Sequence, residues 1–382
     1  MKSPTLLLVS QILSSLVSAQ ILTGELRPAP PAAVGMSATK LDAAARILET
    51  EVSQGRVTAS SILVARKERI VLNRTFGVKT DTPFLLASIS KPVTAAALML
   101  LVERGKLSLQ DPVSEHLKEF NGKDRASIKV RDLLTHTSGL PDMLPNNVDL
   151  RRRHASLSEF VKGTMTTPLL FQPRTDFSYQ SMGILLAAEI VERISGMSLR
   201  DFVQKEFFAP LAMKNTFLGL QGRKIAGTAQ AQPTSGQDPL EWEMFGWNSP
   251  YWRDLGAPWG GLHSTTSDLA IFLQAFLNGG SYNGKRILSP GTVAAMIRDQ
   301  NSHIARPWGL GWGLSTSPVW AYFGDIVSPR TFGHSGATGT VAWADPQTQL
   351  VTIILTTRPS SEDGGKLLRN VSNAVASAVE DK

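Results

Sequence analysis

The sequence contains no cysteine, so no disulfide holds it in any compartment and its stability has to come from packing alone. It also has no apolar run approaching the roughly 20 residues that a membrane-spanning helix needs; the longest candidate, Leu6 to Val17, is shorter and interrupted by serines. No H-E-x-x-H pair, paired cysteine or carboxylate cluster at ligand spacing occurs, so neither a metal nor a cofactor is expected. Charge is scarce, with 19% charged residues and a formal net charge of +7. The densest basic run, Arg151-Arg152-Arg153-His154, has no interleaved aromatics and no nucleic-acid motif beside it. It reads as a solvated loop or helix start, and nucleic-acid binding is rejected. No internal repeat is apparent.

What is present is a chain of 382 residues, 42% hydrophobic, long enough for a large core or two subdomains and too apolar to be disordered. Met1-Lys2, the apolar stretch to Val17 and Val17-Ser18-Ala19 before Gln20 predict a signal peptide over 1–19, and with it secretion, or the periplasm in a bacterium. Asn73-Arg74-Thr75 and Asn370-Val371-Ser372 are glycosylation sequons, usable in a eukaryotic host.

After a Pro- and Ala-rich segment over 20–35, expected to lie extended on the surface, one catalytic domain is expected over 36–382. Ser37 starts a helix over about 38–54, and two β-branched runs, 61–66 and 70–76, read as an antiparallel hairpin. Helical periodicity dominates from about 113 to 291, with candidates near 129–135, 156–166, 181–194, 198–206 and 266–278. Strand-like runs return at 311–315, 330–334, 339–343 and 350–357, and the tail from Gly365 to Val379 is helical. The pattern predicts an α/β fold of the α+β type: a mixed sheet built from about 36–112 and 292–382, flanked by N- and C-terminal helices, with a helical subdomain inserted at about 113–291.

The stretch Phe84-Leu85-Leu86-Ala87-Ser88-Ile89-Ser90-Lys91-Pro92 leads into a run of strong helix formers from Val93 to Arg104. Positions i and i+3 share a helix face, which brings the Lys91 ammonium beside the Ser88 hydroxyl. A helix N-terminus and an apolar flank both depress a lysine pKa, so the pair fits a nucleophile and its base. Taken alone, S-x-x-K is better read as an N-capping serine with a solvated lysine.

The words around it change that balance. Residues 84–113, 132–141 (DLLTHTSGLP), 177–196, 260–270 and 333–336 (GHSG) together resemble, in order and over most of the chain, the serine hydrolases related to class C β-lactamases and penicillin-binding proteins. The resemblance implies a β-lactamase/penicillin-binding transpeptidase-like fold with its active site between the subdomains. It implies that Ser88 is the nucleophile and that Lys91 and the phenol of Tyr179 exchange its proton, Lys91 either stabilising a Tyr179 phenolate or sharing its proton. It further implies that Ser181 stands where the family often has Asn, which removes support for amide substrates. His334 and Gly336 would line the site, the glycine letting substrate approach the strand edge, and the N–H groups of Ser88 and Ala337 would form an oxyanion hole.

His136 reads as turn architecture, His263 as structural, and Asp111 and Asp268 as loop and helix-cap residues. Four tryptophans in a long connection over 221–259 (Trp242, Trp247, Trp252, Trp259), and Trp308, Trp312, Trp320 and Tyr322 further on, suit core filling at a subdomain seam together with an apolar pocket for a lipophilic ester. The expected activity is that of a secreted carboxylesterase working through an acyl-enzyme on a small-molecule ester or amide, without stable membrane insertion. Acyl transfer to a small-molecule acceptor stays open because it shares the first half-reaction. β-Lactamase or D-amino-acid peptidase activity is disfavoured by Ser181, and a non-catalytic binder is disfavoured by the intact set of candidate residues.

Overall fold

The computed structural model describes residues 24–381; the segment expected to be a signal peptide lies outside them. Within Ser60–Arg66 (β1) every side chain is buried. Ile62 and Val64 point into one core while Leu63 and Ala65 point into another, as the two-residue period of a strand demands when both faces of its sheet are covered. β1 turns into Arg69–Phe76 (β2) through Lys67 and Glu68, at φ 49° and 61°. Two consecutive left-handed residues are the signature of the tight hairpin turn whose twist matches its strands. The hairpin joins three C-terminal strands, Phe332–Gly336 (β3), Thr340–Asp345 (β4) and Leu350–Thr356 (β5). The sheet order is Arg27–Pro28, β2, β1, β5, β4, β3 and Gly313–Leu314. Only the pairing of Arg27–Pro28 with β2 is parallel.

One face of the sheet is covered by Ala38–Ser53 (α1), through Leu41 and Leu48, and by Lys366–Ala376 (α6), through Leu368, Val371 and Val375. The other face packs on Thr266–Leu277 (α5) and on the large core beyond it. At the centre of that core lies Ser90–Glu103 (α2), buried from Ser90 to Leu101. A helix apolar on all sides has to be enclosed on all sides, and α2 packs against Met182–Ser195 (α4), with Leu157–Thr166 (α3) against α4 in turn. The inserted part is helical in the main, but it also supplies Leu262–Ser264, which pairs with Phe84–Leu85 on one side and Phe217–Leu218 on the other in a small sheet. The segment before Ser88 is thus tied at Leu86, whose N–H donates to the Leu262 carbonyl at 2.8 Å. The connection over 221–259 is more ordered than its sequence suggests: it contains the short helices Pro239–Phe245 and Pro250–Leu255. No helix among the described residues is long and apolar enough to cross a membrane.

Candidate active site

Ser88 sits on a single 3-10 turn, Ala87–Ile89, just ahead of α2 rather than in its first turn. Ala87 has φ 47°, a left-handed conformation that disfavours any residue with a Cβ, and it swings the chain from the strand into the turn. Ser90 holds the arrangement: its hydroxyl donates to the Ala87 carbonyl at 2.6 Å and accepts from the Leu262 N–H at 3.0 Å.

Lys91 is 1% exposed. Its Nζ lies 3.0 Å from Ser88 Oγ and 3.3 Å from the Trp259 carbonyl. Burial among apolar side chains pulls its pKa from 10.5 down to about 7, against the opposing pull of Asp142. A large share of neutral amine, able to accept a proton, is therefore present near neutrality.

Tyr179 comes from the turn before α4. That turn is fixed by its neighbour Gln180, whose side chain accepts from Ser138 Oγ at 2.7 Å and donates to the Asp132 carbonyl at 3.2 Å. The Tyr179 ring centroid is 4.6 Å from Lys91 Nζ, and its hydroxyl is close enough to Ser88 for the serine hydroxyl to lower its pKa. Burial, with the nearby negative charge of Asp142, raises the phenol well above its ordinary value near 10, outweighing the Ser88 contact. Of the two expected roles of Lys91 toward Tyr179, stabilising a phenolate is corrected accordingly and sharing its proton is kept: the desolvated phenol stays protonated and is a proton donor at rest.

His334 is fully buried on β3. Its Nδ1 faces the Ser335 carbonyl at 2.7 Å and must carry the proton there, because a carbonyl only accepts. Nε2 is left as an acceptor, 3.5 Å from the Tyr179 hydroxyl. Burial and the Lys91 charge drop the His334 pKa to about 3, so the ring is neutral. A second neutral imidazole, His136, has φ 62°, accepts from the Gln180 N–H at 3.2 Å and packs 4.7 Å from the Tyr179 ring. That is the turn role expected of it.

Ser88, Tyr179, Ser335 and Ala337 line a cleft of about 320 Å³, together with Phe177, Val319, Trp320, Tyr322 and Ser360. Trp320 stacks on Tyr179 at 5.4 Å, and Trp308 meets Trp320 edge-on at 5.0 Å. Trp312 belongs to the core instead, against Phe276 and Phe332. Two of the expected site residues face elsewhere. Gly336 opens no space for a substrate: a Cβ there would collide with the Leu86 carbonyl and with Thr340 Oγ1, so its bareness lets β3 close on the nucleophile's own strand. Thr338 and Thr340 fasten that contact by donating to the carbonyls of Leu85 and Leu86 at 2.7 and 3.0 Å. Ser181 is buried and donates to Asp142 Oδ1 at 2.6 Å. Asp142, which follows the DLLTHTSGLP block directly, is the site residue that sequence reasoning missed. Its charge is felt by both Lys91 and Tyr179.

A family model described as Beta-lactamase matches residues 44–376. The chain belongs to the beta-lactamase family. A "Putative D-alanyl-D-alanine carboxypeptidase" of Salmonella gallinarum is 29% identical over 377 residues, covering 87% of this chain and 86% of its own. Among solved structures, EstCE1, described as a hydrolase with promiscuous acyltransferase activity, superposes with a TM-score of 0.74 at 20% identity, over 88% of this chain and 99% of its own. A family VIII carboxylesterase superposes with a TM-score of 0.71 at 20% identity, over 88% and 98%. The family and fold drawn from the motifs are borne out: this is a serine hydrolase of the beta-lactamase family, with a mixed sheet and helices on both faces.

Outside the cleft of this family member, His263 is buried and stacked on Phe217 at 4.9 Å. Asp268 accepts from the Asn215 N–H and Thr216 Oγ1 near the start of α5. Asp111, expected in a loop, meets His116 at 3.0 Å, and with Glu115 the two form a group of ligand-type side chains that adjacency in sequence had hidden. That group corrects the expectation that no carboxylate cluster at ligand spacing occurs.

Proposed function

We propose that this chain is a secreted carboxylesterase that works through an acyl-enzyme on Ser88. The observation that carries the reading is Lys91 Nζ, stripped of water and 3.0 Å from Ser88 Oγ. Neutral Lys91 takes the Ser88 proton as Oγ attacks the ester carbonyl carbon. The N–H groups of Ser88 and Ala337 hold the oxyanion. Collapse of the tetrahedral species breaks the ester C–O bond, and the departing alkoxide takes the Tyr179 proton, which the Lys91 ammonium replaces. Water then enters by the reverse route and releases the acid. Neutral His334 accepts from the Tyr179 hydroxyl and keeps it aimed while adding no charge.

Esters are favoured over amides because Ser181 is engaged with Asp142, which leaves no side-chain amide at that position to hold a substrate amide group. The aromatic lining of the cleft suits a lipophilic ester. It also supports a second reading, acyl transfer, since an apolar alcohol is held against the acyl-enzyme better than water by such walls; EstCE1 is described as a hydrolase with promiscuous acyltransferase activity. The carboxypeptidase name of the Salmonella relative makes D-amino-acid peptidase activity the third reading. The Met1–Ala19 pattern supports export, and the Asn73 and Asn370 sequons would then be open to glycosylation in a eukaryotic host.

The test is incubation with a chromogenic short-chain ester and a fluorophosphonate. Turnover with Ser88 labelled supports the esterase, and labelling with product formed only when an alcohol is added supports the transferase. An unlabelled Ser88 with no turnover of ester, lactam or D-peptide sinks both.

A further inference from the structure

The basic run that looked like a solvated face divides once it is folded. Arg152 donates to Asp149 at 2.9 Å and to Glu241 at 3.1 Å, and Arg153 pairs with Glu159. Arg151, in the same short helix, Asn147–Arg152, makes no ion pair with any described carboxylate. It is partly buried, its Nε–H donates to Asn147 Oδ1 at 3.2 Å, and its guanidinium lies 4.1 Å from the Trp252 ring centroid. Stacking and one hydrogen bond fix the plane of the group and leave no described carboxylate in contact with it. A guanidinium drawn partly out of water gains from an anion that joins it directly, and its planar fork of donors matches a carboxylate.

The space beside it fits such an anion. Arg151 forms part of the wall of a cavity of about 210 Å³ lined also by Trp242, Trp247, Phe245, Thr234 and Gln237. Arg151 is its only charged lining residue, the two indoles meet edge-on at 6.1 Å, and the hydroxyl and amide add a few polar contacts. An apolar hollow with a single fixed charge is the usual build of a site for an amphipathic small molecule. Beside it the helix faces leave Val148, Leu240 and Met244 in solvent. The cavity lies toward the Ser88 cleft along one seam: Ser235, next to Thr234 of the cavity, donates to Glu362 at 2.8 and 2.6 Å, two residues from Ser360 of the cleft lining. The Asp142 charge is felt by Lys91 and Arg151 alike.

We propose that this cavity is a carboxylate subsite, in which Arg151 binds an acid group carried several methylenes from the reacting ester carbonyl, with Trp242 and Trp247 clasping the apolar part. The preferred substrates are then esters of amphipathic, acid-bearing acyl groups. The subsite deepens the esterase reading and rests on it for its purpose, so its test separates binding from turnover. In a Ser88→Ala background, titration with 4-phenylbutyrate followed by tryptophan fluorescence gives saturable binding, and the neutral 4-phenylbutyramide binds about tenfold more weakly. Arg151→Gln removes that preference, and Arg151→Lys, which keeps charge without the fork, retains part of it. In the wild-type enzyme the p-nitrophenyl monoester of adipic acid has a KM about tenfold below that of p-nitrophenyl hexanoate. Arg151→Gln abolishes the difference, and an unchanged circular-dichroism spectrum and melt show that the variant is folded. Equal binding of acid and amide, or an Arg151→Gln protein that still prefers the acid, overturns the subsite even if the hexanoate is turned over. Intact carboxylate binding with no ester turned over upholds the subsite and removes only the esterase.

Discussion

Two hollows in this molecule are built on opposite terms. The larger, about 680 Å³, lies between residues 78–83 and 214–228 and is lined by Lys79, Lys214, Arg223 and Lys224 against the single acid Asp81. All five of these charged residues are exposed, and water screens each from the next. The smaller, about 320 Å³ at Ser88, is lined by no charged side chain; one lysine, Lys91, lies buried behind Ser88, enclosed by apolar side chains, a carbonyl and a phenol. The lesson is that desolvation and convergence make an amine reactive, and that neither the volume of a hollow nor the number of cations around it does.

The contrast breaks most sharply at the lysines. Lys91→Ala should lower the rate of Ser88 acylation by a factor of about 1,000 or more, given the usual weight of general-base catalysis and of the Ser88 contact, whereas Lys214→Ala leaves it unchanged; burst kinetics with an activated ester reads both. A large effect from Lys214 would mean that the exposed hollow takes part in the chemistry. Gly336→Ala comes next. Its methyl group has to force β3 off the Leu86 carbonyl, so kcat should fall at least about tenfold along with a lower Tm, the combination expected when a close backbone contact is overpacked.

The pH dependence sharpens the same point. Lys91 works in its neutral form with a pKa of about 7, so kcat/KM should fall about tenfold per pH unit below 7 and level off above it. Asp142 raises that pKa, so Asp142→Asn should move the inflection to lower pH. The stability linkage has a definite sign as well. The folded-state value lies below the unfolded one, so the unfolded chain binds the extra proton between about pH 7 and 10.5, and stability rises with pH across that window. Lys91→Met should therefore raise Tm more at pH 6 than at pH 9, which paired melts would check. The smallest expected effect is at the strained residue before the nucleophile: Ala87→Gly should stabilise the fold by at most about 1 kcal/mol, measured by urea unfolding.

Much of this architecture was legible before folding was considered. Helix α1, the β1–β2 hairpin, α4, α5 and the C-terminal strands lie within a few residues of where periodicity puts them, because each is long enough to show its period. The short helices at Pro239–Phe245 and Pro250–Leu255 are under two turns and show none. Their signals were local ones: Asp238 and Ser249 cap them, accepting from the N–H groups of Glu241 and Trp252, with a proline directly after each cap. At the site, the motif words pointed to Ser88, Lys91, Tyr179 and His334, and the fold brings those four together. Asp142 was not readable, because its partner Ser181 lies 39 positions away and only the fold makes them neighbours. Nor was the protonation state of Tyr179, which depends on how much water the assembled aromatics exclude. Gly336 was singled out for the wrong neighbour: the sequence shows that bareness is needed there, and the structure shows that the Leu86 carbonyl needs it.

The pairing of Ser60–Arg66 with Leu350–Thr356 has a consequence for how the protein is made. The threonines that clamp the nucleophile's strand, Thr338 and Thr340, are translated some 250 residues after Leu85 and Leu86. A ribosome-bound chain therefore carries its reactive serine through some 250 residues of synthesis without the strands that arm it. Reactivity waits for those strands, so products truncated or stalled before Thr338 should be inert toward the host's own esters.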